Sequence, residues 1–311
     1  MMIKNRIEFF AKISIAVILL IYLIEYVNYE EIINAIKSSN KILVLLVFLL
    51  SFLNIYVQFL KWEVVCNSLL GIKDKKKIFL SLFYGFSGGI ATPARIGEYV
   101  ARKFPFENTS LMKITIATII EKFTSLFLVL VIGALTGILF LYKYFSLSYA
   151  GLASLLFIII SVLFVFFLRG IKKSTKFVKY LTDKFKFFND LFLELKYVKE
   201  IKHNSFNLLI VYSIVFYFIY VSQYSILVLA FNNGGSFIYA FWSGTLVMFV
   251  KSVLSFISFA DLGIRESTSV FVLSKMGLSK AVGFNSAIFL FLFNVLIPSI
   301  IGLALLIRKQ K

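Results

Sequence analysis

Long apolar runs alternate with short charged stretches along most of this chain. The runs extend from about Ile13 to Val27, Ile42 to Leu60, Ile114 to Tyr142, Leu147 to Leu168, Phe206 to Phe231 and Ala281 to Ile307. A bilayer core about 30 Å thick is crossed by about 20 apolar residues in a helix, so these six runs are predicted to be transmembrane helices. The stretches between them set the orientation, because Lys- and Arg-rich loops stay on the cytoplasmic side. Lys61 and Trp62 read as interface anchors, and "GIKDKKK" follows them at 71–77. The chain closes on "RKQK". Both termini and residues 61–77 are therefore expected inside, with residues 28–41 and the "NNGGS" turn at 232–236 outside.

Two segments do not fit a simple span. Residues 78–104 contain "IFLSLFYGFSGGIA", too short to cross, and both ends of the segment are basic. A segment that enters and leaves on one side is a re-entrant hairpin, with Gly88, Gly89 and Pro93 at its break. Irregular backbone at that depth is tolerated only where protein or water satisfies it. Residues 237–275 have both ends outside by the same reasoning and form a second hairpin from the opposite face. The prediction is a single all-α polytopic membrane domain over 1–311, with about six transmembrane helices and two opposed re-entrant hairpins. Such a plan matches transporters built on broken helices. "GALTG" in the third span places Gly133 and Gly137 four apart, a small-xxx-small contact pattern.

Composition agrees with this class. Of 311 residues, 60% are hydrophobic and 15% charged, against about half and a quarter in soluble domains. The N-terminus has a basic start and an apolar core but no small-residue cleavage site, so it reads as a span and not as a removed signal. The net charge is +18. In a membrane protein this charge belongs to cytoplasmic loops facing anionic headgroups, so nucleic acid is not an expected partner. Residues 169–205 carry ten Lys or Arg against four acids, with Phe177, Leu181, Phe185, Phe188, Phe192 and Leu195 at helical spacing. This segment is expected as an amphipathic helix on the inner leaflet, a solvated linker being the other reading. Cys66 and His203 are the only residues of their types. They exclude an internal disulfide and a Cys/His metal site, and His203 lies in a basic loop unsuited to a catalytic triad. No Walker-type phosphate loop occurs, and no cofactor is expected.

The chemistry sits at the hairpins. Thr92 and Pro93 suit the N-cap and first position of a helix running back toward the cytoplasm. Its N-terminus would lie in the membrane as an anion site. Arg95, Glu98 and Arg102 fall on one face, with Arg95 suited to a lipid phosphate and Glu98 to orienting an arginine. The second hairpin offers Lys251, then Asp261 as a cap, then Arg265 and Glu266. The third span adds Glu121 and Lys122 on a helix bearing Thr118 and Ser125. These four bases and four acids can simply pair and hold the hairpins. However, each charge at the bilayer centre costs about 2.5–3.5 kcal/mol, and so many near two tips favours a polar cavity.

At these positions the sequence resembles a known family. "TPARIGEYVAR" at 92–102 resembles the T-P-G-R-x-G-E-x-x-R signature of the flippase-like family that includes the membrane domain of lysylphosphatidylglycerol synthase. "IIEKFTSLFLVL" at 119–130 resembles its V-x-E-R-x-x-D segment, and "SFADLGIRES" at 258–267 its P-G-G-L-G-x-R-E segment. Thr92, Pro93, Arg95, Gly97, Glu98, Arg102, Glu121, Gly263, Arg265 and Glu266 match. Ala94 stands for a glycine, Lys122 for an arginine, Thr124 or Ser125 near an aspartate, and Phe259-Ala260-Asp261 for Pro-Gly-Gly. The resemblance implies a protein of the bacterial or archaeal cell membrane that moves a lipid or lipid-linked headgroup between leaflets. Arg95, Glu98, Arg102, Glu121, Arg265 and Glu266 would hold the headgroup, and Gly88, Gly89, Thr92, Pro93, Gly97, Asp261 and Gly263 would shape the tips. The expected ligand is an anionic phospholipid or a polyprenyl-phosphate-linked lipid. A homo-oligomer or a separate lipid-modifying enzyme is a further partner class. The synthases carry a soluble aminoacyl-transferase domain after this region, and here the sequence stops at Lys311, so lysine transfer is not expected. Two alternatives stay open: a membrane-embedded transferase using Glu98, Glu121 or Glu266 as base, and a non-transporting scaffold in glycolipid or glycan assembly.

Overall fold

The computed structural model describes residues 21–22, 24–92, 95–173, 203–255 and 262–310. Pro93, Asp261, most of the first expected span and most of the basic segment at 169–205 lie outside the described residues. Every regular element among the described residues is helical, as the apolar patterning predicts.

Polar caps decide where the helices begin. Asn28 caps α1 (Tyr29–Ser38), and Asn40 caps α2 (Lys41–Val65) by accepting from the Ile42 and Leu43 N–H groups. A π-helical turn, Cys66–Leu70, extends α2 until Gly71 takes a left-handed φ of 67° and stops it. Asp74 then caps α3 (Lys75–Ile90), so the basic "GIKDKKK" loop is a stop signal followed by a start signal. After a break come the short α4 (Ile96–Ala101), α5 (Leu111–Tyr144, capped by Ser110) and α6 (Leu147–Lys173). The C-terminal part holds α7 (His203–Asn232), α8 (Phe237–Leu254), α9 (Ile264–Lys275), α10 (Lys280–Phe291), a second π-helical turn (Leu292–Leu296) and α11 (Ile297–Gln310).

Among the described residues, five helices are long and apolar enough to cross a bilayer: 41–70, 111–144, 203–232, 237–254 and 280–308. Helix α6 opens on a further apolar stretch, Leu147–Ser161. The chain is therefore a multi-pass membrane protein. The large apolar side chains left exposed, such as Ile42, Leu49 and Phe52 on α2 and Phe127, Leu135 and Leu139 on α5, suit contact with lipid and not water. One difference from the sequence reading is α8. It was expected as one arm of a re-entrant hairpin, and its 18 residues span roughly 27 Å at 1.5 Å per residue, close to the bilayer core.

Helix α7 is the central post, packing against α2, α5, α8 and α10. Tyr217, Val221, Tyr224 and Leu227 on α7 meet Val47, Val129, Val247, Leu273 and Leu290 in the larger core. A second core gathers Trp62, Cys66, Ile78, Leu82, Phe86, Ile114 and Leu209 around the start of α3. The α3–α4 and α8–α9 pairs each lean on one half of the last span. Helix α3 packs on α11, where the hydroxyls of Ser87 and Ser299 donate to the Ser299 and Phe86 carbonyls at 2.7 and 3.0 Å. Helix α9 packs on α10, where Ser269 donates to the Gly283 carbonyl at 2.6 Å.

The first pair is antiparallel and very close. A Cβ on Gly88 would run into the Gly97 carbonyl and lie 2.6 Å from Ala101 Cβ, and one on Gly85 would lie 2.8 Å from Arg102 Cγ. Gly88 and Gly89 thus lie inside α3 and not at the break, as the sequence reading had them. Their missing side chains let the return helix rest on α3 and bring its charges inward.

Candidate functional site

Asn54, Gln58 and Lys61 on α2 are spaced four and three apart, so they share one face of the helix. Asn54 and Lys61 are buried, and the Asn54 amide donates to Gln223 Oε1 (3.1 Å) and Asn294 Oδ1 (2.6 Å). Lys61 pairs with Glu121 at 3.0 Å and donates to the Ser125 hydroxyl. Its neighbour Trp62 is fully buried, its indole N–H donating to Ser81 Oγ at 3.2 Å. Neither residue is the interface anchor that the sequence suggested. The π-helical turn carries the helix on to Leu70, which places Lys61 in the interior.

The return helix also differs from expectation. It starts at Ile96 and not at Pro93, because Arg95 takes a left-handed conformation with φ 57°. Thr92 still caps it from a distance: its hydroxyl accepts from the Gly97 N–H (2.6 Å) and donates to the Gly88 carbonyl (3.0 Å). Glu98 occupies the first turn of this six-residue helix. The charge at this turn therefore comes from side chains and not from a free helix N-terminus.

Those side chains form one chain of charges. Arg102 donates from Nη2 to Glu98 Oε1 at 2.7 Å and from Nη1 to Glu121 Oε2 at 3.2 Å, joining the two carboxylates. Its guanidinium lies over the Trp62 ring, 4.3 Å from the centroid. Lys122 donates to Glu98 Oε2 at 2.8 Å, and Arg95 Nε lies 3.4 Å from the same oxygen. Glu98, Arg102, Glu121 and Lys61 are almost fully buried, whereas the Arg95 and Lys122 side chains are 23% and 35% exposed. Arg95 and Lys122 are the two that face open space.

That space is a cavity of about 180 Å³ walled by α2, α5, α7, α8 and the α4 turn. At about 30 Å³ per water this is the volume of roughly six water molecules, room for a phosphate group and not for a whole lipid. Among the described residues, Lys61, Arg95, Arg102, Lys122 and Lys251 and the carboxylates Glu98 and Glu121 contribute to its wall, so basic side chains outnumber acidic ones there. In a medium of low dielectric, such an excess is a strong field for an anion.

Of the sequence-predicted residues, Arg95, Glu98, Arg102 and Glu121 converge here. Arg265 and Glu266 are not among the walls of this cavity. They are buried beside each other, with Arg265 Nε donating to Glu266 Oε1 at 3.0 Å. Glu266 Oε2 accepts from the N–H of Gly263, the φ +84° residue that caps α9. Arg265 also lies over the Phe291 ring at 4.9 Å. Sequence reasoning missed Gln58, Lys61 and Tyr220 as cavity residues. The polar stripe Asn54–Gln58–Lys61 on an otherwise apolar helix was the signal that would have found the first two.

A family model described as "Lysylphosphatidylglycerol synthase TM region" matches residues 9–302. No curated protein and no solved structure matches the chain.

Proposed function

The chain belongs to the lysylphosphatidylglycerol synthase transmembrane family, and we propose that it moves a lipid or lipid-linked headgroup between the leaflets of a cell membrane. The phosphate of that lipid is held in the charged cavity, and its hydrocarbon stays among the helices and the surrounding lipid. The observation that carries this reading is the convergence of Arg95 and Lys122, the two more exposed cations of the cluster, on a cavity walled by transmembrane helices. An anionic phospholipid or a polyprenyl phosphate is the cargo whose phosphate suits these cations.

Depth supports the same reading. Glu121 lies ten residues into α5 and Lys61 nine residues before Leu70, so each is roughly 14–15 Å from the helix end that carries the basic loop. That is about half the thickness of a bilayer core, where a headgroup needs help to pass. In this reading the Lys73–Lys77 loop and both termini face the cytoplasm, and the α3–α4 and α8–α9 pairs enter from opposite sides. Arg95 and Lys122, the more exposed cations, make the first contact with the phosphate. Arg102, Glu98, Glu121 and Lys61 hold them in place.

The test is lipid movement in liposomes carrying the purified protein, with labelled anionic phospholipids and polyprenyl phosphates as cargo. Wild type is expected to move at least one of them without nucleotide, and Arg95→Ala to lose the movement at unchanged folding. If no lipid moves in wild-type vesicles, the transport reading fails, and a transferase or scaffold role takes its place.

A further inference from the structure

The charged cavity accommodates a phosphate but no hydrocarbon. A second cavity of about 690 Å³ lies beside it, with an almost wholly apolar wall formed by α5, α6, α8 and α9. This volume is within the range of about 300–1,000 Å³ that ligand sites occupy. The two cavities share two walls. On α5, Glu121 to Val129 contribute to the charged cavity, and Ala134 to Leu141 to the apolar one, the two sets separated by roughly one turn. On α8, Met248, Lys251 and Ser252 contribute to the former, and Leu246, Phe249 and Val250 to the latter. Between the two sets on α5 stands Gly133, and the Phe249 side chain packs directly where a Cβ would be. Phe249 thus lines the apolar cavity and packs on α5 at the level between the two sets of wall residues. Gly137, the other half of the "GALTG" pattern, makes no tight contact. A Cβ there would have only Leu246 Cδ2 within reach, at 3.9 Å, and the residue opens onto the apolar cavity.

Resting on the reading that the charged cavity holds a lipid phosphate, we infer that the apolar cavity holds a hydrocarbon chain of the same lipid molecule. The cargo is then an amphiphile bound at both ends, with the phosphate on Arg95 and Lys122 and the chain against α5 and α8 past Phe249. The order is that of an inner-leaflet lipid, whose chain points away from the basic end of the helices. A site of this kind selects for an anionic phosphate attached to a long chain, and neither half alone suffices.

The experiment uses two photo-reactive phosphatidic acids in phosphatidylcholine vesicles containing the full-length protein. One carries a diazirine near the end of an acyl chain, and the other carries it next to the phosphate. Cross-linked peptides are mapped by mass spectrometry. In wild type, chain cross-links are expected to concentrate on 134–141 and 246–250, and head cross-links on 95–102 and 121–125. Gly137→Leu and Ala153→Phe fill the apolar cavity from two different walls. Each is expected to lower the chain cross-links by about tenfold, equivalent to about 1.4 kcal/mol, while head cross-links remain. Arg95→Ala is expected to lower both. Chain cross-links spread evenly over the lipid-facing helices, and unchanged by both filling variants, would overturn the inference and leave the phosphate site intact. Head cross-links missing from the charged cavity in wild type would overturn the phosphate site and the inference together.

Discussion

Arg102 is the side chain on which both interior carboxylates depend. It bridges Glu98 and Glu121, and its own charge is offset by them and by the face of Trp62. Removing one partner of a buried ion pair typically costs about 3–5 kcal/mol, because the other is left charged and unpaired. Arg102→Ala is therefore expected to unfold the protein at much lower temperature, as read by thermal denaturation in detergent. Arg95 differs: Glu98 keeps Arg102 and Lys122 without it, and partly exposed pairs contribute only about 0–1 kcal/mol. Arg95→Ala should melt close to wild type and yet lose lipid movement. A large loss of stability in Arg95→Ala would mean that the residue holds the hairpin and is not kept for a ligand. Much of this cluster was legible in the sequence, because Arg95, Glu98, Arg102 and Glu121 are charges in apolar surroundings, where each needs a reason. Lys61 was not legible, because a lysine after an apolar run reads as a helix end unless the π-helical continuation to Leu70 is known.

At the scale of elements, what the sequence left open was how closely helices approach. Gly88 and Gly89 read as a turn from their type alone, and only the packing of α4 across them reveals a contact face. The same ambiguity surrounded the pair in α5, where two glycines four apart turn out to have opposite roles. Gly133 receives Phe249 with no space to spare, whereas Gly137 borders a cavity. In a helix interior, alanine is preferred to glycine by roughly 0.5–1 kcal/mol. Gly137→Ala is thus expected to raise the melting temperature slightly. Gly133→Ala, which drives a methyl group into Phe249, is expected to lower it by several degrees. Equal effects at both positions, measured by the same detergent melting assay, would contradict the packing of α5 on α8.

For the whole molecule, the alternation of runs and basic loops was enough to predict an all-helical membrane chain, because burial in lipid leaves the backbone few other choices. It was less informative about which segments cross, since α8 has nearly the length of a span while reading as a hairpin arm. Nor could patterning tell that Arg265 and Glu266 would pair with each other away from the walls of the cavity that collects the first hairpin's charges. In the proposed orientation the basic residues Lys73, Lys75, Lys76 and Lys77 between α2 and α3 face the cytoplasm, and Ser236 at the start of α8 faces the opposite side. The proposed transport depends on it, because the charged cavity must be reached from the leaflet that supplies the lipid. The only native cysteine, Cys66, is buried, so single cysteines can be introduced with little background labelling. In intact cells a membrane-impermeant maleimide is expected to label Ser236→Cys, and to label Lys75→Cys only after permeabilisation. The reverse pattern would place the basic end outside. The phosphate would then be loaded from the outer leaflet, and the hydrocarbon chain inferred for the apolar cavity would point toward the cytoplasm.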